Sequence, residues 1–260
     1  MIRRLPFELE RIIFLLAFKG DPDKNLQLKL VAKRVFHWLI PLTFGVNIIR
    51  VKRRLPEMGL LPFASYGRRV RHLLLVITEN VPLSDLEAYV IYCPNVTNFA
   101  LWIKGTFDPL VLMSFARFLA HFPHLTELSI NTDLLPRRPS ELLSQVLARI
   151  THLDVVTLFT SMESCRALRL FPALTHLSGL FRCRYCVSMI LEKIPKLRVF
   201  VLWEASDSLG IVEGKSRYDD ERVVHLACDS MAAWKLNAHG MMGRWKFAED
   251  VITRRRREGG

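Results

Sequence analysis

The sequence predicts an α/β protein with three parts: a short helical amino-terminal domain over residues 1–45, a solenoid with a parallel sheet over 46–238, and a capping helix with a basic tail over 239–260. Three observations predict it. A triplet of apolar residues at relative positions 0, +3 and +5 recurs through most of the chain. Helical spacing fills the intervals between triplets, and the first 45 residues follow neither rule.

The triplet is clearest in "FPHLTELSIN", where Leu125, Leu128 and Ile130 fill the slots. Val96, Phe99 and Leu101 repeat it, then Leu153, Val156 and Leu158, then Leu197, Phe200 and Leu202. Weaker copies are Val70, Leu73, Leu75 and Val223, Leu226, Cys228, with Val46, Ile49, Val51 upstream. Leu174 and Leu177 keep the frame, but Gly179 takes the third slot. From 70 onward the first slots are 21 to 29 residues apart. A short strand with three apolar side chains on one side cannot bury them alone, whereas stacked parallel copies share a core. Each filled slot then contributes about 1.5–3 kcal/mol of transfer free energy. Pro94, Pro123, Pro172 and Pro195 precede strands, where proline stops the previous helix at small cost.

Between triplets the period changes. "PLVLMSFARFLAHF" places Leu112, Phe115, Leu119 and Phe122 at spacings of three and four, a helical stripe. "PSELLSQVLARI" does the same after a Pro-Ser-Glu start, and "YCVSMILEKI" and "LSDLEAYVIY" are shorter versions. Strand–helix alternation with right-handed connections gives a curved α/β solenoid.

The first 45 residues read as two amphipathic helices separated by the turn residues of "KGDPDKN". The expected buried positions are Leu9, Ile12, Ile13 and Leu16 in the first, and Leu30, Val31, Val35 and Trp38 in the second. "LPFELERIIF" resembles the opening of the F-box, and "LKLVAKRVFHWLIP" resembles its second half, with a compressed middle at "GDPDKNLQ". With the irregular repeats and the closing "WKFAEDVITRRR", the whole chain resembles the fungal F-box proteins that carry an irregular leucine-rich-repeat array. The F-box likeness covers about 40 residues, and the repeats lack the recurrent asparagine except at Asn131.

That resemblance implies a non-catalytic substrate receptor of a cullin-RING ubiquitin ligase. The F-box would dock on the ligase's acidic adaptor subunit, and the repeats would hold an unidentified target protein. It implies that Leu5, Pro6, Leu9 and Ile13, with Leu30, Val31 and Val35, face the adaptor. The alternative is a ligase-independent interaction scaffold whose amino-terminal helices only cap the open end of the solenoid.

Charge is distributed in keeping with this. Residues 1–75 carry 15 Lys/Arg against 5 Asp/Glu, residues 76–252 carry 18 against 19, and the tail carries 4 against 1. A nucleic-acid binder using its repeat surface would spread positive charge along it, so nucleic acid is not the expected partner. A basic amino-terminal third complements an acidic one. "RVKRRL" at 50–55 and "RRRR" at 254–257 could contact phosphates or direct nuclear import, though such runs are more often solvated. The longest apolar run, Ile12–Phe18, is far short of the roughly 18 residues that span a bilayer, so no membrane partner is expected. Five scattered cysteines suit reduced thiols in a cytoplasmic or nuclear protein.

If the triplets point inward, positions +2, +4 and +6 point out of the sheet. The +6 row contains Trp102, Phe159 and Trp203, and exposed bulky apolar residues mark partner surfaces. These three are the candidate target-binding residues. The competing expectation is that loops at 104–108 or 204–217 fold over and bury them. Catalytic and metal sites are not expected. Cys183-Arg-Tyr-Cys186 lacks two further zinc ligands at suitable spacing and reads as packed thiols. "GIVEGKS" is one residue short of a phosphate-binding loop, and no cofactor motif is present.

Overall fold

The computed structural model describes residues 5–20, 24–51, 64–78, 86–87, 90–104, 109–159, 161–181, 183–205, 211–214 and 218–258. Nine strands form one sheet: β1 (Val46–Val51), β2 (His72–Ile77), β3 (Asn98–Ile103), β4 (Glu127–Ile130), β5 (His152–Phe159), β6 (His176–Phe181), β7 (Val199–Ala205), β8 (Val212–Glu213) and β9 (Val223–Cys228). Their order is β1-β2-β3-β4-β5-β6-β7-β9-β8, and every pairing is parallel except β8 with β9. The chain is therefore a mixed α/β fold on a mostly parallel sheet.

The register explains the triplet. Leu73, Phe99, Leu128, Leu153, Leu177, Phe200 and Val223 pair in one row across β2–β7 and β9. Ahead of this row Val70, Val96, Leu125, Ile150, Leu174 and Leu197 are all buried in one core. The spacing read from sequence was thus correct at five strands and slipped at others. In β5 the inward triplet is Ile150, Leu153 and Val155, three residues ahead of the expected frame. In β9 only Val223 faces the main core, while Leu226 and Cys228 join a cluster on the opposite face. Val46 pairs with His72, which moves the β1 frame by two. Apolar residues on both faces of a strand offer two frames, and an odd slip exchanges the faces.

Threonine adds a second repeating device. The Thr97, Thr126, Thr151 and Thr175 hydroxyls each donate to the main-chain oxygen one unit back, those of Arg71, Thr97, Thr126 and Thr151, at 3.2–3.4 Å. The same oxygens accept two main-chain N–H groups from the next unit, so the turn before each strand is stitched to its neighbour.

On the main-core side lie α3 (Pro109–Ala120), α4 (Glu141–Leu147), α5 (Met162–Ala167) and α6 (Arg184–Lys193). Phe118 and Phe122 of the α3 segment pack against Phe99 of β3 at 5.5 and 4.9 Å between ring centroids. Ser140 caps α4 by accepting the Leu143 N–H. Gly179 occupies the slot where a larger residue was expected because Phe159 and Phe181 stack 4.1 Å apart beside it. A β-carbon there would lie 2.7 Å from the Phe181 ring and 3.1 Å from the Phe159 ring. Half of the "LSDLEAYVIY" segment falls outside the described residues.

Two further helices, α7 (Ser230–Ala238) and α8 (Arg244–Glu258), lie against the sheet's opposite face. Asp229 caps α7 through the Ala232 N–H at 2.6 Å, and Gly240, at φ +65°, follows its end. At the amino terminus, α1 (Phe7–Gly20), a 3-10 segment (Lys24–Leu30) and α2 (Lys33–Gly45) enclose a small core of Phe18, Val35 and Leu39, flanked by Phe14, Leu15, Leu28 and Trp38. The expected burial of this module does not hold for six of its positions. Leu9, Ile12, Ile13, Leu16, Leu30 and Val31 are exposed, and α1 packs through Phe14, Leu15 and Phe18 instead. Of the seven residues expected at an adaptor, Val35 is fully enclosed, so it supports the module from within rather than lining its surface.

Candidate protein interface

Two surfaces bear on function, one closed and one open. The closed one is the face of the sheet opposite the main core. Its outward positions are apolar at both ends of the sheet and polar in the middle. Leu74, Val76, Ala100 and Trp102 of β2–β3 pack against Trp234 and Ala238 of α7. Val199, Val201 and Trp203 of β7 and Val224, Leu226 and Cys228 of β9 pack against Trp245, Ala248, Val251 and Ile252 of α8.

Between these clusters runs a buried polar chain. The Asn98 amide donates to Glu127 Oε2 at 2.8 Å, and the Asn237 amide donates to the same oxygen at 2.9 Å. The Trp234 indole N–H donates to Asn98 Oδ1 at 3.2 Å. The Trp102 indole N–H donates to Ser129 Oγ at 2.9 Å, and that hydroxyl donates to Asp154 Oδ2 at 2.8 Å. Arg244, at the start of α8, reaches down to Asp154 Oδ1 and to Ser178 Oγ at 3.0 Å, with its guanidinium 5.7 Å from the Trp203 ring. Buried polar groups require such partners, so the chain fixes how α7 and α8 sit on the sheet.

Histidines complete this face. The His152 and His176 rings stack at 4.0 Å, with Trp245 edge-on to both, and His176 Nε2 lies 3.3 Å from Glu249 Oε1. Burial pushes His72, His152 and His176 each down to about 4. Burial also raises Glu127, against the opposing effect of its hydrogen bond from Asn237.

Trp102, Phe159 and Trp203 are accordingly not on an open surface: they are 6%, 2% and 6% exposed. For the two tryptophans the covering elements are α7 and α8, with Ile211 of the 204–217 loop also packed against the Trp203 cluster, and most of the loops expected to bury them lies outside the described residues. Phe159 is buried for a different reason, since the three-residue frame slip in β5 turns it into the main core against Phe181. Sequence reasoning missed Arg244, Asp154 and Asn98. A buried Asp at a strand centre and an Arg opening an amphipathic helix were the available signals, and only the fold pairs them across 90 residues.

The open surface is on α1. At about 100° per residue, Leu9, Ile12, Ile13 and Leu16 form one stripe, and Phe14, Leu15 and Phe18 centre on the opposite side. The second stripe is packed, while the first is 49–64% exposed. Leu5, Phe7, Leu30 and Val31 add exposure of 58%, 53%, 86% and 62%, and Pro6 is also exposed. The sequence brought these residue types together, but the structure decides that they face solvent. Arg34 and Glu10 pair at 2.6 Å and tie α2 to α1.

The basic tail is partly consumed internally. Arg254 and Arg255 pair with Glu213, Arg255 also donates to Val223 O at 2.8 Å, and Arg256 pairs with Glu221. Most of "RVKRRL" lies outside the described residues. Between α3, the 131–140 connection, α4 and α5 is a cleft of about 690 Å³ with Leu135, Leu143 and Phe115 inside and Arg137 and Glu163 beside it, paired at 3.3 Å. Among the described residues, no three His, Cys, Asp or Glu side chains converge as a metal site, and no helix is long and apolar enough to cross a membrane. Compared with known proteins, the chain matches no family model and no curated protein sequence.

Proposed function

We propose that the chain is a non-catalytic receptor subunit. Its amino-terminal helices, an F-box-like module, dock on the acidic adaptor subunit of a cullin-RING ubiquitin ligase, and the strand–helix array, a leucine-rich-repeat-like solenoid, holds the protein to be modified. The observation that supports this reading is the solvent-facing stripe of α1, with Leu5, Leu30 and Val31 of the same module also exposed. Apolar side chains at helical spacing normally point into a core, and a stripe left in water is the pattern of a surface covered by a partner. The excess of Lys/Arg in residues 1–75 suits an acidic one. Because α7 and α8 cover the Trp102–Trp203 face, the target is held on another surface, and the 690 Å³ cleft is a concavity with room for side chains.

The second reading, a scaffold without a ligase, draws on the other side of the same module. Helix α2 runs directly into β1, and Phe44 stacks on Tyr66 at 4.6 Å, as an end-cap would. A cap alone leaves the outer stripe of α1 unexplained. The test is titration of purified adaptor into the full-length chain and into Leu9→Ser/Ile13→Ser. Both side chains are about half exposed, so stability should move by less than about 1 kcal/mol. Loss of two interface anchors at about 1 kcal/mol or more each should weaken binding by more than about tenfold. No binding by either protein returns the chain to the scaffold reading, and equal binding by the two removes the α1 stripe as the docking surface.

A further inference from the structure

Four sulfur atoms gather where β6 passes into α6. Cys183 is the N-cap residue of α6 and is exposed, whereas Cys186, one turn along, is 4% exposed. Cys186 Sγ lies 3.7 Å from Met162 Sδ of α5, and Cys165 of α5 is buried in the same cluster. Cys183 and Cys186 stand three residues apart at the start of one helix, close enough for the Cys186 main-chain N–H and thiol to act on the Cys183 sulfur, and a disulfide between them needs their β-carbons at about 3.5–4.5 Å. Zinc does not account for the group, because among the described residues no third ligand converges on it.

We propose that Cys183 and Cys186 are a reversible dithiol–disulfide pair, oxidised by hydrogen peroxide, with Cys183 attacking and Cys186 resolving. The Cys183 thiolate attacks one peroxide oxygen, the O–O bond breaks, and the departing hydroxide takes a proton to become water. Cys183 is then a sulfenic acid. Cys186 sulfur attacks Cys183 sulfur, the S–O bond breaks, and the leaving hydroxide takes the Cys186 proton as a second water. Two electrons pass from the two thiols to one peroxide, and a dithiol reductant reverses the change.

The division of roles follows from the two environments. Backbone N–H groups of Cys186 and Tyr185 and the Cys186 thiol hold the Cys183 thiol below its ordinary value. Burial pushes the Cys186 thiol up, and the Cys165 thiol up to about 12. The attacking sulfur is thus the accessible one with thiolate character, and the resolving sulfur is sheltered beside it. Cys93 and Cys228, both buried, serve as internal controls.

The experiment exposes the full-length protein to one equivalent of hydrogen peroxide, counts free thiols and maps disulfides by mass spectrometry without reduction. The expected result is loss of two of the five thiols with a Cys183–Cys186 link, restored by dithiothreitol. Cys186→Ser should instead accumulate a dimedone-reactive sulfenic acid at Cys183, and Cys183→Ser, a change at an exposed site, should retain all its thiols. A Cys165–Cys186 link with Cys183 still free overturns the proposal. So does oxidation of Cys183 no faster than glutathione in the same tube, or its passage to sulfinic acid without a disulfide.

Discussion

Arg244→Met is the most informative single change in this chain. Arg244 and Asp154 are 5% and 7% exposed, and the guanidinium also donates to Ser178 and lies over the Trp203 ring. Methionine keeps most of the aliphatic volume, so little cavity forms. What changes is electrostatic: the Asp154 carboxylate keeps only the Ser129 hydroxyl as donor and becomes a buried charge without a counter-ion. Removing one partner of a buried pair costs about 3–5 kcal/mol, mostly the desolvation of the charge left behind. At about 2–4 °C per kcal/mol for a chain of this size, the melting temperature should fall by roughly 6–20 °C.

The same argument fixes the sign of a second measurement. Asp154→Asn removes the stranded charge, so Arg244→Met/Asp154→Asn should be more stable than Arg244→Met alone, by about 1–3 kcal/mol. Urea unfolding followed by tryptophan fluorescence, with the denaturant slope compared across variants, measures both. A loss below about 1 kcal/mol for Arg244→Met, or a double variant weaker than the single one, would refute the claim that this pair clamps α8 to the sheet.

Stability should also fall on mild acidification. The three histidines held near 4 bind protons more weakly in the folded chain than at the unfolded value of 6.5, so folding is undisturbed above about pH 7 and is opposed as pH falls from 6.5 towards 4. Between pH 7.5 and 5 the expected loss is about 2 kcal/mol per histidine, read from urea midpoints, and a flat profile over that window contradicts their burial as neutral rings. Gly179→Ala should cost about 1–3 kcal/mol, because its β-carbon meets the Phe181 ring at 2.7 Å; a melting temperature at or above the parent's would show that the Phe159–Phe181 stack yields freely.

Much of the architecture was legible because stacked strands impose one pattern many times. Leu73, Phe99, Leu128, Leu177 and Phe200 sit in the row their spacing assigned to them. The frame failed at β5 and β9, where apolar residues occupy both faces: Val156 and Leu158 compete with Leu153 and Val155, and Leu226 and Cys228 with Val223. The opposite face was misread for a related reason. Trp102 and Trp203 were correctly placed outside the main core, but α7 and α8, from the far end of the chain, bury them. Their partners Trp234 and Trp245 lie more than 40 residues away in sequence, beyond any local periodicity. On α1 both stripes are apolar, and sequence could not say which one the module would enclose.

The sequence by itself determined the elements, the strand–helix alternation and the near-neutral repeat region, because each depends on neighbours within one turn or one strand. Tertiary structure alone decided which faces are dry. That choice depends on how long-range surfaces compete for burial, as when Arg244 meets Asp154 or when Phe18 rather than Leu16 enters the amino-terminal core. A side chain's periodicity tells which side it shares with others, and only the assembled layers tell whether that side meets protein or water.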